Sequence, residues 1–173
     1  SLSVKFTDTA FSTLKEKDIL RVEGPFGSFF LREDSPKPIV LLASGTGFAP
    51  IKALIEHMQS KGITRPAVLY WGCRRRADLY RHDWCLQQAA AMPGLRYVPV
   101  LSEPTADDDW TGRTGFVHQA LMADWPDLSG HQVYACGTPA MVDAAQRDLV
   151  AQCGLPADEF IADAFTSEAD KHR

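Results

Sequence analysis

The sequence predicts an α/β fold, an open parallel sheet with helices on both faces. Three observations carry this expectation. Ile39 to Ala43 is a continuous apolar run, the mark of a strand buried on both sides. Segments with helical periodicity alternate with further strand-like runs, and glycine or proline punctuates the junctions. Strands alternating with helices of about 10–15 residues require right-handed crossovers, which place helices over both faces of a parallel sheet.

Residues before Ser35-Pro36-Lys37-Pro38 differ in character: Asp18 to Glu23 alternates, Gly24-Pro25-Phe26-Gly27 turns, and Ser28-Phe29-Phe30-Leu31 follows. That stretch is β-rich and too short to be a domain by itself. Beyond Ile39 to Ala43, apolar residues Ile51, Leu54, Ile55 and Met58 fall at i, i+3, i+4, i+7, one face of a helix that Gly62 stops. Ala67 to Trp71 is a second strand, and Asp78 to Ala91 a helix ended by Pro93-Gly94. Tyr97 to Leu101 is a third strand, whose Pro99 predicts an edge or irregular position. Phe116 to Trp125 reads as a helix, His131 to Cys136 as a fourth strand and Pro139 to Cys153 as a helix. Phe160 to Ala162 closes the sheet. Asp107-Asp108-Asp109 reads as a solvated loop.

With 45% apolar and 23% charged residues among 173, the chain has ordinary globular values, which exclude collagen-like and wholly disordered classes. A net charge of −4 and a pI near 5.7 argue against nucleic acid as the partner. No apolar run approaches the ~18 residues of a membrane span. The first residues, Ser1-Leu2-Ser3-Val4-Lys5, contain neither an initiator methionine nor a signal peptide and read as the interior of a longer protein. Cysteines at 73, 85, 136 and 153 match no zinc spacing and no C-x4-C-x2-C cluster run. They read as reduced thiols of a cytoplasmic protein with no metal site.

Two strand-to-helix junctions can carry chemistry. Ala43-Ser44-Gly45-Thr46-Gly47-Phe48-Ala49-Pro50 lies where a parallel sheet binds ligands. Gly45 and Gly47 would let the backbone approach a pyrophosphate, Thr46 adds a hydroxyl, and Pro50 suits a first helical turn. The motif is neither Walker A nor G-x-G-x-x-G. By itself it is equally a glycine turn closing a corner. The second junction is Tyr134-Ala135-Cys136-Gly137-Thr138-Pro139-Ala140-Met141, where Cys136 by itself reads as a small hydrophobe.

Together with Tyr70-Trp71-Gly72-Cys73-Arg74 between them, these motifs resemble the NAD(P)-binding half of the ferredoxin–NADP reductase superfamily. The likeness is greatest to oxygenase-type and CDP-6-deoxy-glucoseen reductases. Gly24 to Phe29 is similar to the segment where that family's flavin barrel ends, and Ser44 to Pro50 to its pyrophosphate loop. Cys136 to Met141 is similar to its C-G-x-P-x-M segment beside the nicotinamide. Asp163-Ala164-Phe165 is similar to the aromatic that shields the flavin. The resemblance runs from about Leu14 to Phe165. It implies a Rossmann-like NAD(P)-binding domain over 36–165, after a remnant of the flavin barrel over 1–35 and before a tail over 166–173. It also implies Cys136 and Phe165 at the catalytic centre. The cofactor residues it implies are Ser44, Gly45, Thr46, Gly47, Pro50, Gly72, Arg74, Ser102, Gly137, Thr138, Pro139 and Met141.

The implied function is that of an oxidoreductase module placing NAD or NADP for hydride transfer to FAD, with electrons passing to an iron–sulfur partner. The family's flavin motif R-x-Y-S/T does not occur in the chain, so FAD binding is assigned mostly to a missing flavin domain. The fragment by itself is expected to be inactive. The alternative is a module that binds a dinucleotide without turnover. A third reading is a thiol-redox protein using Cys73 or Cys136, without a resolving C-x-x-C. Arg74-Arg75-Arg76, after the second strand, could meet a 2′-phosphate or point to solvent beside Asp78. NADH is the expected coenzyme.

Overall fold

The computed structural model describes residues 28–164. In chain order the elements are β1 (Ile39–Ser44), α1 (Phe48–Lys61), β2 (Ala67–Cys73), α2 (His82–Ala91), β3 (Leu95–Leu101), β4 (Arg113–Thr114), α3 (Val117–Asp124), β5 (Gln132–Gly137), α4 (Pro139–Cys153) and β6 (Phe160–Ala164). The sheet runs β4-β3-β2-β1-β5-β6 and is parallel throughout. The expected doubly covered parallel sheet is therefore the architecture found.

Strand alternation sorts the apolar residues into two cores. Leu41, Ala43, Leu69, Trp71, Tyr134 and Cys136 pack with Phe48, Ile51, Ile55 and Cys85 of α1 and α2. Val40, Leu42, Val68, Tyr70 and Ala135 pack with Val117, Leu121, Val142, Ala145 and Leu149 of α3 and α4. Both faces of β1, β2 and β5 are buried, so these strands read as unbroken apolar runs rather than alternating ones. Gly62 ends α1 at φ 63°, the left-handed conformation that glycine enters without strain.

Three expectations shift. The helix expected from Asp78 begins at His82; Arg76–Asp78 instead forms a 3₁₀ turn, its Arg75 amide bonded to the Asp78 carboxylate at 3.1 Å. β3 is not the edge strand, because a two-residue β4 pairs with Val100 and Leu101. That pairing stops short of Pro99, so the proline's missing N–H interrupts no ladder on the outer side. Sequence reading gave no hint of β4. Arg113 on it donates to both oxygens of Asp124 at 2.6 and 2.7 Å, and Tyr70 Oη donates to Asp124 at 2.7 Å. This triad ties β2, β4 and the end of α3 together.

At the opposite end of the sheet the segment before β1 is fastened down. Arg65 donates to the carbonyls of Lys37 and Arg32 at 2.8 Å each and to Gln132 Oε1 at 3.1 Å. Glu159 accepts from Lys37 and Gln132, both at 2.8 Å. Among the described residues no helix is long and apolar enough to cross a membrane.

Candidate functional site

Strand order reverses at β1, which has β2 on one side and β5 on the other. Carboxyl ends of parallel strands leave a crevice at such a point. Here the crevice is a cavity of ≈ 920 Å³, at the upper end of the range for small-molecule and cofactor sites.

Four strand ends contribute to its wall: Ser44 at the end of β1 with Gly45 and Thr46 after it, Gly72 and Cys73 of β2 with Arg74 after it, Ser102 after β3, and Thr138 after β5. Met141 and Ala144 of α4 and Phe116 and Val117 at the start of α3 complete it. Ser44 Oγ accepts from the Thr138 amide at 3.3 Å, joining the two junctions that the sequence singled out. Thr138 Oγ1 accepts from the Met141 amide at 3.3 Å and caps α4, with Pro139 in the first turn where its missing N–H costs nothing.

Of the sequence-expected site residues, Ser44, Gly45, Thr46, Gly72, Arg74, Ser102, Thr138 and Met141 line this cavity. Gly47, Pro50, Cys136, Gly137 and Pro139 do not. A Cβ on Gly47 would stand 2.2 Å from the Cys136 carbonyl oxygen, so the packing of the turn against β5 itself requires glycine there. Gly72 likewise has a packing reason, since a Cβ would lie 2.7 Å from Val117 Cβ and push α3 off the strand. Cys136 has no exposed surface and faces the α1 side of the sheet. Its side chain is not part of this cavity's wall. Phe165 and Gly24 to Gly27 lie outside the described residues.

Thiol chemistry finds no support in these positions. All four cysteines are buried, and burial pushes the Cys73, Cys85 and Cys136 thiols up to about 12. A thiol that stays protonated at neutral pH is a poor nucleophile.

The arginine run divides. Arg75 donates from Nε to Asp108 Oδ2 at 2.6 Å and from its NH2 group to Thr105 Oγ1 at 2.6 Å. Arg76 donates to the Asp108 carbonyl at 3.2 Å. Only Arg74 of the three lines the cavity. Asp108, expected in a solvated loop, is 7% exposed, and the Arg75 guanidinium holds its carboxyl down at about 2. Among the described residues no cluster of His, Cys, Asp or Glu is arranged to hold a metal ion.

Sequence reading missed Phe116, which is 63% exposed at the cavity mouth, and Tyr80, 52% exposed. The available signal at position 116 was a large aromatic at the start of a helix, next to and not among the apolar residues of its inward face. Also missed were His118 and Asp148, 3.4 Å apart where α3 faces α4.

A model of the oxidoreductase NAD-binding domain matches residues 41–147. The chain is 45% identical over 163 residues to the CDP-6-deoxy-L-threo-D-glycero-4-hexulose-3-dehydrase reductase of Yersinia pestis, covering 92% of this chain and 47% of that relative. It is 35% identical over 167 residues to the reductase component of propane 2-monooxygenase from Mycolicibacterium smegmatis, covering 94% and 47%. The crystal structure of the Amycolatopsis cytochrome P450 reductase GcoB matches with a TM-score of 0.74 at 35% identity, covering 83% of this chain and 43% of that one. The chain spans about half the length of the curated relatives it matches.

Proposed function

The chain belongs to the oxidoreductase NAD-binding domain family, within the ferredoxin–NADP reductase superfamily, and on that premise we propose that its cavity holds NADH or NADPH for hydride transfer to FAD. Electrons then pass to an iron–sulfur partner. One observation carries this reading: the ends of β1, β2, β3 and β5 converge on one cavity at the reversal of strand order.

The bound nicotinamide supplies the hydride, so the protein's work is binding and orientation. Gly45 and Thr46 would receive the pyrophosphate on their backbone, with the Ser44 and Thr138 hydroxyls lining the same wall. Arg74 and Ser102 would take the adenosine ribose, and Phe116 would stack on the adenine. Gly72 lets α3 sit close enough to bring Phe116 there. Arg75 and Arg76 are spent on the Thr105–Asp108 turn and Asp78 shares the wall with Arg74, so this end carries little positive charge for a 2′-phosphate. NADH is the better fit. FAD would be held by a flavin-binding portion outside the described residues. The relatives' names as reductases and reductase components support a second protein as electron acceptor.

Calorimetric titration of the chain with each coenzyme tests the reading. Saturable binding, tighter for NADH than for NADPH, is expected; a folded chain that binds neither overturns it.

A further inference from the structure

The turn after β1 is held from β2. Gly45 has a φ of +52°, yet no atom lies within 4 Å of where its Cβ would stand. Glycine is required there by backbone conformation, not by crowding. That conformation turns the Gly45 carbonyl into the protein, where it accepts from two donors. One is the Phe48 amide, closing the short 3₁₀ turn; the other is the indole Nε1–H of Trp71, at 3.0 Å. Both lone pairs of the carbonyl are engaged.

Trp71 is itself immobilised. It is fully buried, stacked on Phe48 with ring centroids 4.0 Å apart and planes at 14°, and met edge-on by Tyr80 at 5.2 Å. Neither Trp71 nor Phe48 lines the cavity. The Gly45-Thr46 backbone does, and so does Tyr80, which meets both Trp71 and Phe48 edge-on; the hydrogen bond to Gly45 is the route that belongs to Trp71 alone.

We propose that Trp71 is a positioning residue for the dinucleotide: its indole N–H fixes the Gly45 peptide and so presets the backbone that receives the pyrophosphate. This rests on the cavity being a dinucleotide site. A Gly-Thr-Gly turn without such a bond samples several conformations, and ordering it on binding would be subtracted from affinity. A buried donor on a rigid ring removes that cost before the ligand arrives.

Two roles of Trp71, stacking and donating, separate by substitution in the full-length flavin-loaded protein. Trp71→Phe keeps a ring on Phe48 and removes the N–H, while the Phe48 amide still satisfies the Gly45 carbonyl. Phe48→Leu removes the stack and keeps the bond. Trp71→Phe is expected to weaken NADH roughly tenfold, the effect of about one hydrogen bond. The rate at saturating NADH should stay within about twofold, placing the loss in KM rather than kcat. Phe48→Leu should lower the melting temperature and leave NADH affinity within about twofold, because stacking contributes packing only. A Trp71→Phe protein binding NADH as tightly as wild type overturns the proposal. So does a Phe48→Leu protein losing affinity as steeply, an outcome that decides the matter even if Trp71→Phe fails to fold. Wild-type protein that binds no NADH overturns the dinucleotide reading itself, and is told apart by needing no variant.

Discussion

Gly47 and Cys136 meet backbone to backbone: a methyl group on Gly47 would lie 2.2 Å from the Cys136 carbonyl oxygen and 2.6 Å from Gly137 Cα. Backbone of a central strand cannot yield as a side chain tip can, so the turn after β1 reaches β5 only because residue 47 has no side chain. Gly47→Ala is therefore expected to cost about 3 kcal/mol or more, the upper range for overpacking, read as a lower denaturant midpoint. A variant of wild-type stability that has lost only NADH would place Gly47 against the nucleotide instead.

The residue on the other side of that contact leads to a second prediction. The Cys136 side chain is buried among apolar groups on the α1 side, and its thiol is pushed up to about 12 by burial, with Asp163 adding to the shift. A serine hydroxyl there would be taken from water without an assured partner, at about 1–3 kcal/mol. Cys136→Ser should melt several degrees lower while NADH affinity stays within about twofold. Selective loss of the hydride-transfer rate in the flavin-loaded protein, with stability kept, would return Cys136 to the reacting ring.

How much of this was legible follows from the range of the interactions involved. The β1–α1 corner was readable because its signals are local: an apolar run, two glycines, a proline in the first turn, and Gly62 at the end. That the two junctions share one edge followed from the parallel sheet, whereas strand order and the Ser44–Thr138 bond are set by contacts between distant segments and were not legible. β4 was invisible because two residues leave no period; Asp124, eleven positions on, holds Arg113 in place. Asp108 looked like solvated charge because the arginines that bury it, Arg75 and Arg76, are more than thirty residues away. The packing of Gly47 against the Cys136 carbonyl was not legible, because sequence shows that a glycine is needed and not which atom needs it.

Phe116 supports a third prediction because its exposure separates binding from folding. At 63% exposed, it contributes little to the core, so Phe116→Ala should leave stability within about 0.5 kcal/mol. If its ring stacks on the adenine, the loss in NADH affinity should be about 1–3 kcal/mol, the range for base–aromatic stacking. Phe116→Tyr should keep most of the affinity. Equal binding by wild type and Phe116→Ala, measured by calorimetry, would move the adenine elsewhere.

The Arg75–Asp108 pair supports a prediction about coenzyme choice. The Arg75 guanidinium, with backbone donors from Thr105 and Arg76, lowers the Asp108 carboxyl from 3.8 to about 2. A depressed carboxylate contributes stability that is present above its ordinary value and lost as pH falls through its folded value. The pair is thus complete at neutral pH and opens only between about pH 4 and 2, so Asp108 should not alter coenzyme preference between pH 5 and 8. Asp108→Asn removes the charge at every pH and leaves the Arg75 guanidinium with a neutral amide, while the Arg76 guanidinium keeps the Asp108 main-chain carbonyl. With that anchor weakened, the Arg75 guanidinium becomes available to a 2′-phosphate beside Arg74. NADPH affinity should rise several-fold relative to NADH, and the gain should shrink in high salt, as screening requires. An unchanged ratio of the two dissociation constants at low salt, in a folded Asp108→Asn protein, would show that the arginine run lies out of reach of the coenzyme.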